Sequence, residues 1–195
     1  MFWNKRPTPA AASPLPEMLD PDSADDIAWI KQSGDPLIWH SAALGILLFR
    51  DDSQDFLTWL VEQETMDRVT ALAIFLAQSN GKNRLTGGVI PPEQMPEPYR
   101  SKHMRINHVI DRLCELDAER TWPEHGIGLG IGLEHGLEEE REKLTAELGS
   151  EPRFPHNLFA RPIPRHTAQM PYLDIGEAEL YSREAVARDM PYLLD

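Results

Sequence analysis

The chain has 195 residues, a formal net charge of −13, a pI near 4.9, 41% hydrophobic residues and one cysteine. Nucleic acid and anionic membrane surfaces would repel so acidic a chain, and the lone Cys114 excludes an internal disulfide. The apolar content, with five Trp, suffices for a packed core in one domain with extensions.

Residues 1–22 read as a Pro/Ala-rich arm; no secretory signal or membrane span is visible, so a cytoplasmic location is expected. Asp22-Ser23 caps a short helix with Ile27, Trp29 and Ile30, ending before Ser33-Gly34. Asp35-Pro36 starts the next helix, Leu37 to Phe49, which is apolar nearly all round and therefore central. Asp51-Asp52-Ser53 caps a third, with Phe56, Leu57, Leu60 and Val61 on one stripe. The hub follows. Thr65 is its expected N-cap, Val69, Leu72, Ala73 and Leu76 share a face, and Asn80-Gly81 reads as its C-terminal stop.

Asn83 to Pro98 reads as a Gly/Pro loop, and a long helix runs from Tyr99 to about Arg120. The stretch from Glu124 repeats a Gly-Ile-Gly-Leu unit and a Glu-His-Gly unit through Gly136, which suits either close helix packing or an apolar loop. A charged helix follows from Leu137 to about Leu148. Four prolines make residues 151–169 an extended segment, and Glu177 to Arg188 is expected as one helix with Ala178, Tyr181, Ala185 and Val186 inward. A brief Met-Pro-Tyr-Leu echo begins at Met170 and Met190. The expected fold is all-α: a compact bundle of short antiparallel helices plus one longer helix over 23–150. Residues 151–195 should pack on it as an extended Pro-rich segment ending in a short helix.

Familiar chemistry finds little purchase. The glycines at 126–136 do not register as Gly-x-Gly-x-x-Gly, and no Gly-Lys-Ser/Thr follows, so a nucleotide loop is excluded. His125 and His135 sit in matching units, and His108, Asp111 and Glu115 share a helical face. Neither spacing is that of a zinc site, so no metal or other cofactor is expected. Cys114 lies on the apolar side of the long helix near Ile110 and Leu113, where a buried thiol is the usual outcome. No Gly-x-Ser-x-Gly elbow presents a serine nucleophile.

Asp67, Thr70, Ala71, Leu72, Ile74 and Phe75 form an Asp-x-x-Thr-Ala-Leu-x-Ile-Phe run preceded by the apolar helix Phe56–Val61. Over residues 40–85 this resembles a bacterial family of small helical proteins of unknown function associated with toxin loci. The resemblance implies an immunity role. The charge distribution points the same way: residues 25–80 carry 9 acidic and 3 basic groups, and residues 124–150 carry 7 and 2. An immunity protein needs no catalytic residues, only a rigid scaffold and an acidic face for a basic toxin or effector. Two clusters are the candidate partner-binding residues: Glu138, Glu139, Glu140, Glu142 and Glu147, and Asp51, Asp52 and Asp55. Two alternatives stand beside this reading. One is a small-molecule or hydrolytic enzyme using His103 or His108 beside carboxylates under the 83–98 loop. The other is a chaperone-like adaptor for a secreted effector.

Overall fold

The computed structural model describes residues 15–49, 52–88, 91, 94–97, 99–128, 134–164, 168–174 and 179–194. Helices dominate it. In α1 (Ala24–Ser33) the Ser23 hydroxyl accepts the Asp26 N–H, and Gly34 closes the helix in the left-handed conformation. In α2 (Pro36–Phe49) Asp35 accepts the Leu37 N–H at 2.9 Å, with proline at the first helical position as expected. Ile38, Trp39, Ala42, Ala43 and Ile46 of α2 are buried. Helix α3 (Phe56–Val61) buries Phe56, Leu57, Leu60 and Val61.

The hub departs from expectation at both ends. Its cap is Asp67, whose carboxylate accepts the Val69 N–H at 2.7 Å, and α4 runs over Arg68–Leu76 with every residue buried. A 3-10 turn at Ala77–Ser79 then breaks the helix, with Gln78 at φ 52° and Ser79 at φ 58°. Asn80-Gly81 does not end the hub. It opens α5 (Asn80–Thr86), so helix extends into the stretch read as loop and stops only at Gly87, φ 70°.

Helix α6 (Tyr99–Asp117) turns Val109, Ile110, Leu113 and Leu116 into the core. Residues 121–128 are non-helical, with Gly126 at φ 73°, whereas Gly136 lies inside α7 (Glu134–Leu148); the middle of the glycine run, 129–133, falls outside the described residues. The following Pro-rich segment, expected to be extended over 151–169, is described over 151–164 and 168–169, where it turns at 151–153 and buries Phe154 and Ile163. It includes the one-turn helix α8 (His156–Phe159), which buries Leu158 and Phe159.

The C-terminal end carries the second departure. Within the helix expected over Glu177 to Arg188, residues 177 and 178 lie outside the described residues and 180–182 form a strand. Strand β3 (Leu180–Ser182) pairs antiparallel with both β1 (Met18–Leu19) and β2 (Tyr172–Asp174), in the order β1-β3-β2. The helix begins only at α9 (Arg183–Asp189), where Ser182 caps the Ala185 N–H. Leu180 and Tyr172 enter the same buried cluster as the hub, so this small sheet closes the core over α2.

Candidate functional site

Burial sorts the acidic residues into struts and free surface. Helix α7 turns Leu137, Arg141, Leu144 and Leu148 inward at helical spacing. Glu138 sits beside that stripe. It clasps the Arg141 guanidinium at 2.6 to 3.0 Å and accepts the Ile163 N–H at 2.9 Å, while Arg141 reaches the Phe159 carbonyl. Burial pushes the Glu138 carboxyl up, but Arg141, the Ile163 amide and the field of Arg68 outweigh it and hold it below its usual range. Glu138 is thus a brace rather than part of an open acidic face.

The outward ridge consists of exposed Glu139, Glu142, Lys143 and Glu147, with Glu140 half-buried at its edge. Glu147 binds Lys82 at 2.6 Å, and Glu142 stands 3.8 Å from Arg141. Among the described residues Glu139 has no ion-pair partner.

The second predicted cluster is described only in part. Asp51 lies outside the described residues. Asp52 is buried, and its two oxygens accept the Phe56 and Leu57 N–H groups at 2.6 and 3.0 Å, so this carboxylate caps α3 and is not available to a partner. Burial raises its pKa against the pull of those amides. Asp55 alone is exposed, at φ 50°.

Sequence reasoning missed a buried polar clamp around the N-terminus of α4. Arg68 is fully buried: Nε donates to Glu124 at 2.8 Å, Nη1 to the Leu158 and Arg161 carbonyls, and Nη2 to that of Pro162 at 2.7 Å. Asp67 also accepts the His125 N–H at 2.6 Å, with the His125 ring 3.3 Å away. Asp117 receives the Trp122 indole N–H and the Asn157 and Leu158 amides. These groups bind 121–128 and 154–163 to the hub. The one cue in the sequence was Asp67-Arg68 at a helix start, and spacing alone could not identify partners some 90 positions away.

A half-open cavity of about 70 Å³ lies between α2, α3, α6 and the turn at 77–79. His103 and Asp52 both line it, but no hydrogen bond joins them, and Asp52 is committed to its two amides. His108 is exposed and outside the cavity lining. Of the two histidines of the enzyme alternative, only His103 therefore lines this cavity. Burial pushes the Cys114 thiol up to about 12, so it is no nucleophile at neutral pH. No group of three or more His, Cys, Asp or Glu among the described residues is placed to hold a metal, and no described helix is long and apolar enough to cross a membrane.

The chain matches no family model, no curated protein and no solved structure in these three comparisons. The resemblance at Asp67–Phe75 accordingly rests on those residues alone, and they are core and clamp residues.

Proposed function

We propose that this protein is a non-catalytic acidic binding protein that neutralises a basic toxin or secreted effector by direct contact, as immunity proteins do. The observation behind this reading is the α7 ridge. Glu139 and Glu142 face solvent on a helix whose other side is locked by the Arg141–Glu138 brace and by Leu144 and Leu148. A rigid helix with outward carboxylates presents negative potential without an ordering cost on binding, which favours fast, salt-sensitive association with a cationic surface.

The test is co-expression with the product of the neighbouring gene, followed by association kinetics at low and high salt. A stoichiometric complex should form, with an on-rate that falls as salt rises. The double reversal E139K/E142K should slow association by about tenfold or more while leaving thermal stability unchanged. Absence of a complex, or an on-rate indifferent to the reversal, would remove α7 from the account.

A further inference from the structure

Two successive residues at the α4–α5 junction hold a backbone conformation that their side chains do not favour. Gln78 (φ 52°, ψ 28°) and Ser79 (φ 58°, ψ 22°) form a left-handed pair between Ala77, which leaves α4 at ψ 125°, and Asn80, which is helical. Non-glycine residues persist in this region only where the surrounding structure imposes it, and they collect at switch regions. The dipeptide that best suits two left-handed residues in succession is Asn-Gly. This chain has one two positions further on, at Asn80-Gly81, and places it inside α5.

Three contacts hold this register. Phe75 lies across Gly81 and leaves no room there for a side chain. Lys82 binds Glu147 of α7 at 2.6 Å. Arg84 grips Asp111 of α6 through two hydrogen bonds, of 2.6 and 2.9 Å. The four charged groups are half-buried, so both pairs are open to screening by salt. Local preference and tertiary contact therefore disagree about where α4 should stop, a conflict that marks an element with two competing arrangements.

We propose that the α4–α5 junction is a two-register switch. In the register of this structure α4 stops at Leu76, and Lys82 and Arg84 make their ion pairs. In the second register α4 continues through Ala77, Gln78 and Ser79, and Asn80-Gly81 supplies the left-handed stop. Each added helical residue advances the chain by about 1.5 Å and turns it by about 100°. After three such residues α5 cannot keep Lys82 on Glu147 or Arg84 on Asp111. Gln78 also leaves the cavity mouth, where its Nε2 reaches the Leu47 carbonyl at 3.4 Å. Glu147 belongs to the α7 ridge, so the switch sets whether that carboxylate is neutralised by Lys82 or offered to a partner. This last consequence rests on the partner-binding reading of the ridge; the switch itself does not.

Backbone NMR of the full chain tests the switch without any partner. Relaxation dispersion should show microsecond-to-millisecond exchange at residues 77–86, with a minor state of about 1–10%. Q78N/S79G places the favoured dipeptide in the turn already formed, and should lower the minor population about tenfold or more and flatten the dispersion. K82Q/R84Q removes the two ionic holds and leaves the turn untouched. It should raise the minor population about tenfold or more, moving the Cα shifts of residues 77–79 to helical values while those of α1, α2 and α3 stay in place. Three results would overturn the switch: flat dispersion at 77–86 in the parent with unchanged shifts at 77–79 in K82Q/R84Q, dispersion that survives Q78N/S79G, or coil shifts throughout 77–86 in K82Q/R84Q, which would mean that α5 merely frays. A failure to form a complex is read in a separate experiment and leaves these spectra as they are.

Discussion

Arg68 and His40 are both buried on or against the hub helix, and they solve the problem of burial in opposite ways. Arg68 keeps its charge because every nitrogen finds an acceptor: one carboxylate and three carbonyls from the chain crossing above it. Without those partners its desolvation would be prohibitive. His40 gives its charge up. At 2% exposure, with Nδ1 2.9 Å from the Thr70 hydroxyl, burial pushes its pKa down to about 4. The folded state therefore prefers the neutral ring, and the sign follows. The contribution is fully present above the unfolded value near 6.5 and is lost as pH falls toward 4, by about 2 kcal/mol at pH 5 and about 3 kcal/mol at pH 4. Asp52 and Asp67, raised by burial, act in the other direction over the acid end of this range. His40→Gln isolates the histidine by difference. Urea titrations at pH 7 and pH 5 should show the parent losing about 2 kcal/mol more than the variant between those values; equal losses would mean that His40 is solvated.

At the scale of elements, the α4–α5 junction shows what periodicity conveys and what it hides. The apolar spacing from Val69 to Leu76 was legible, because a helix buried on all sides must be apolar all round. The break after it was not. Asn80-Gly81 has the composition of a helix stop, yet Gly81 occupies the second position of α5 because Phe75 passes across it: a Cβ there would stand 2.2 Å from the ring. That ring is fully buried and packed edge-on against Phe159 at 5.3 Å, so it has little room to yield. Gly81→Ala should therefore destabilise the protein by about 1–3 kcal/mol through overpacking, despite a helix-propensity gain of up to about 1 kcal/mol. Chemical denaturation measures the balance, and a stabilised variant would show that the glycine is there for the turn and not for Phe75. The two Met-Pro-Tyr-Leu echoes make the same point about context. Tyr172 lies in β2 at 1% exposure, while Tyr192 lies in a 3-10 turn at 72%. A tetrapeptide has no period long enough to distinguish the two; the pairing of Tyr172 with Ser182 does. The acidic sites were legible only in part, for a related reason. Composition locates carboxylates, but capping and bracing depend on partners elsewhere in the chain, which is why Asp52 and Glu138 left the exposed set and Glu139 and Glu142 stayed in it.

Across the whole molecule, one buried cluster runs from Leu19 through α4 to Leu180. The tryptophans sample its different regions. Trp29 meets Tyr172 beneath the small sheet, with ring centres 6.3 Å apart; Trp39 and Trp59 pack edge to face at 5.2 Å; Trp122 donates its indole N–H to Asp117 in the clamp. If the sheet were a separate layer, Trp29 would report its loss before the others. The shared core argues otherwise, because removing β2 and β3 would expose Leu19 and Leu180, which are wholly inside it. Acidic self-repulsion works against compactness everywhere in the molecule, and the clamps at Arg68, Asp117 and Arg141 tie the regions together against it. Labelling with 5-fluorotryptophan and following each ¹⁹F resonance through urea should give one midpoint for Trp29, Trp39, Trp59 and Trp122, with a slope of about 2 kcal/mol/M. An earlier midpoint for Trp29 would divide the protein into a clamped helical body and a separable terminal sheet. A common midpoint means that the α7 ridge stands on a scaffold that yields only when the whole fold yields, the rigidity that the proposed partner-binding role of that ridge requires.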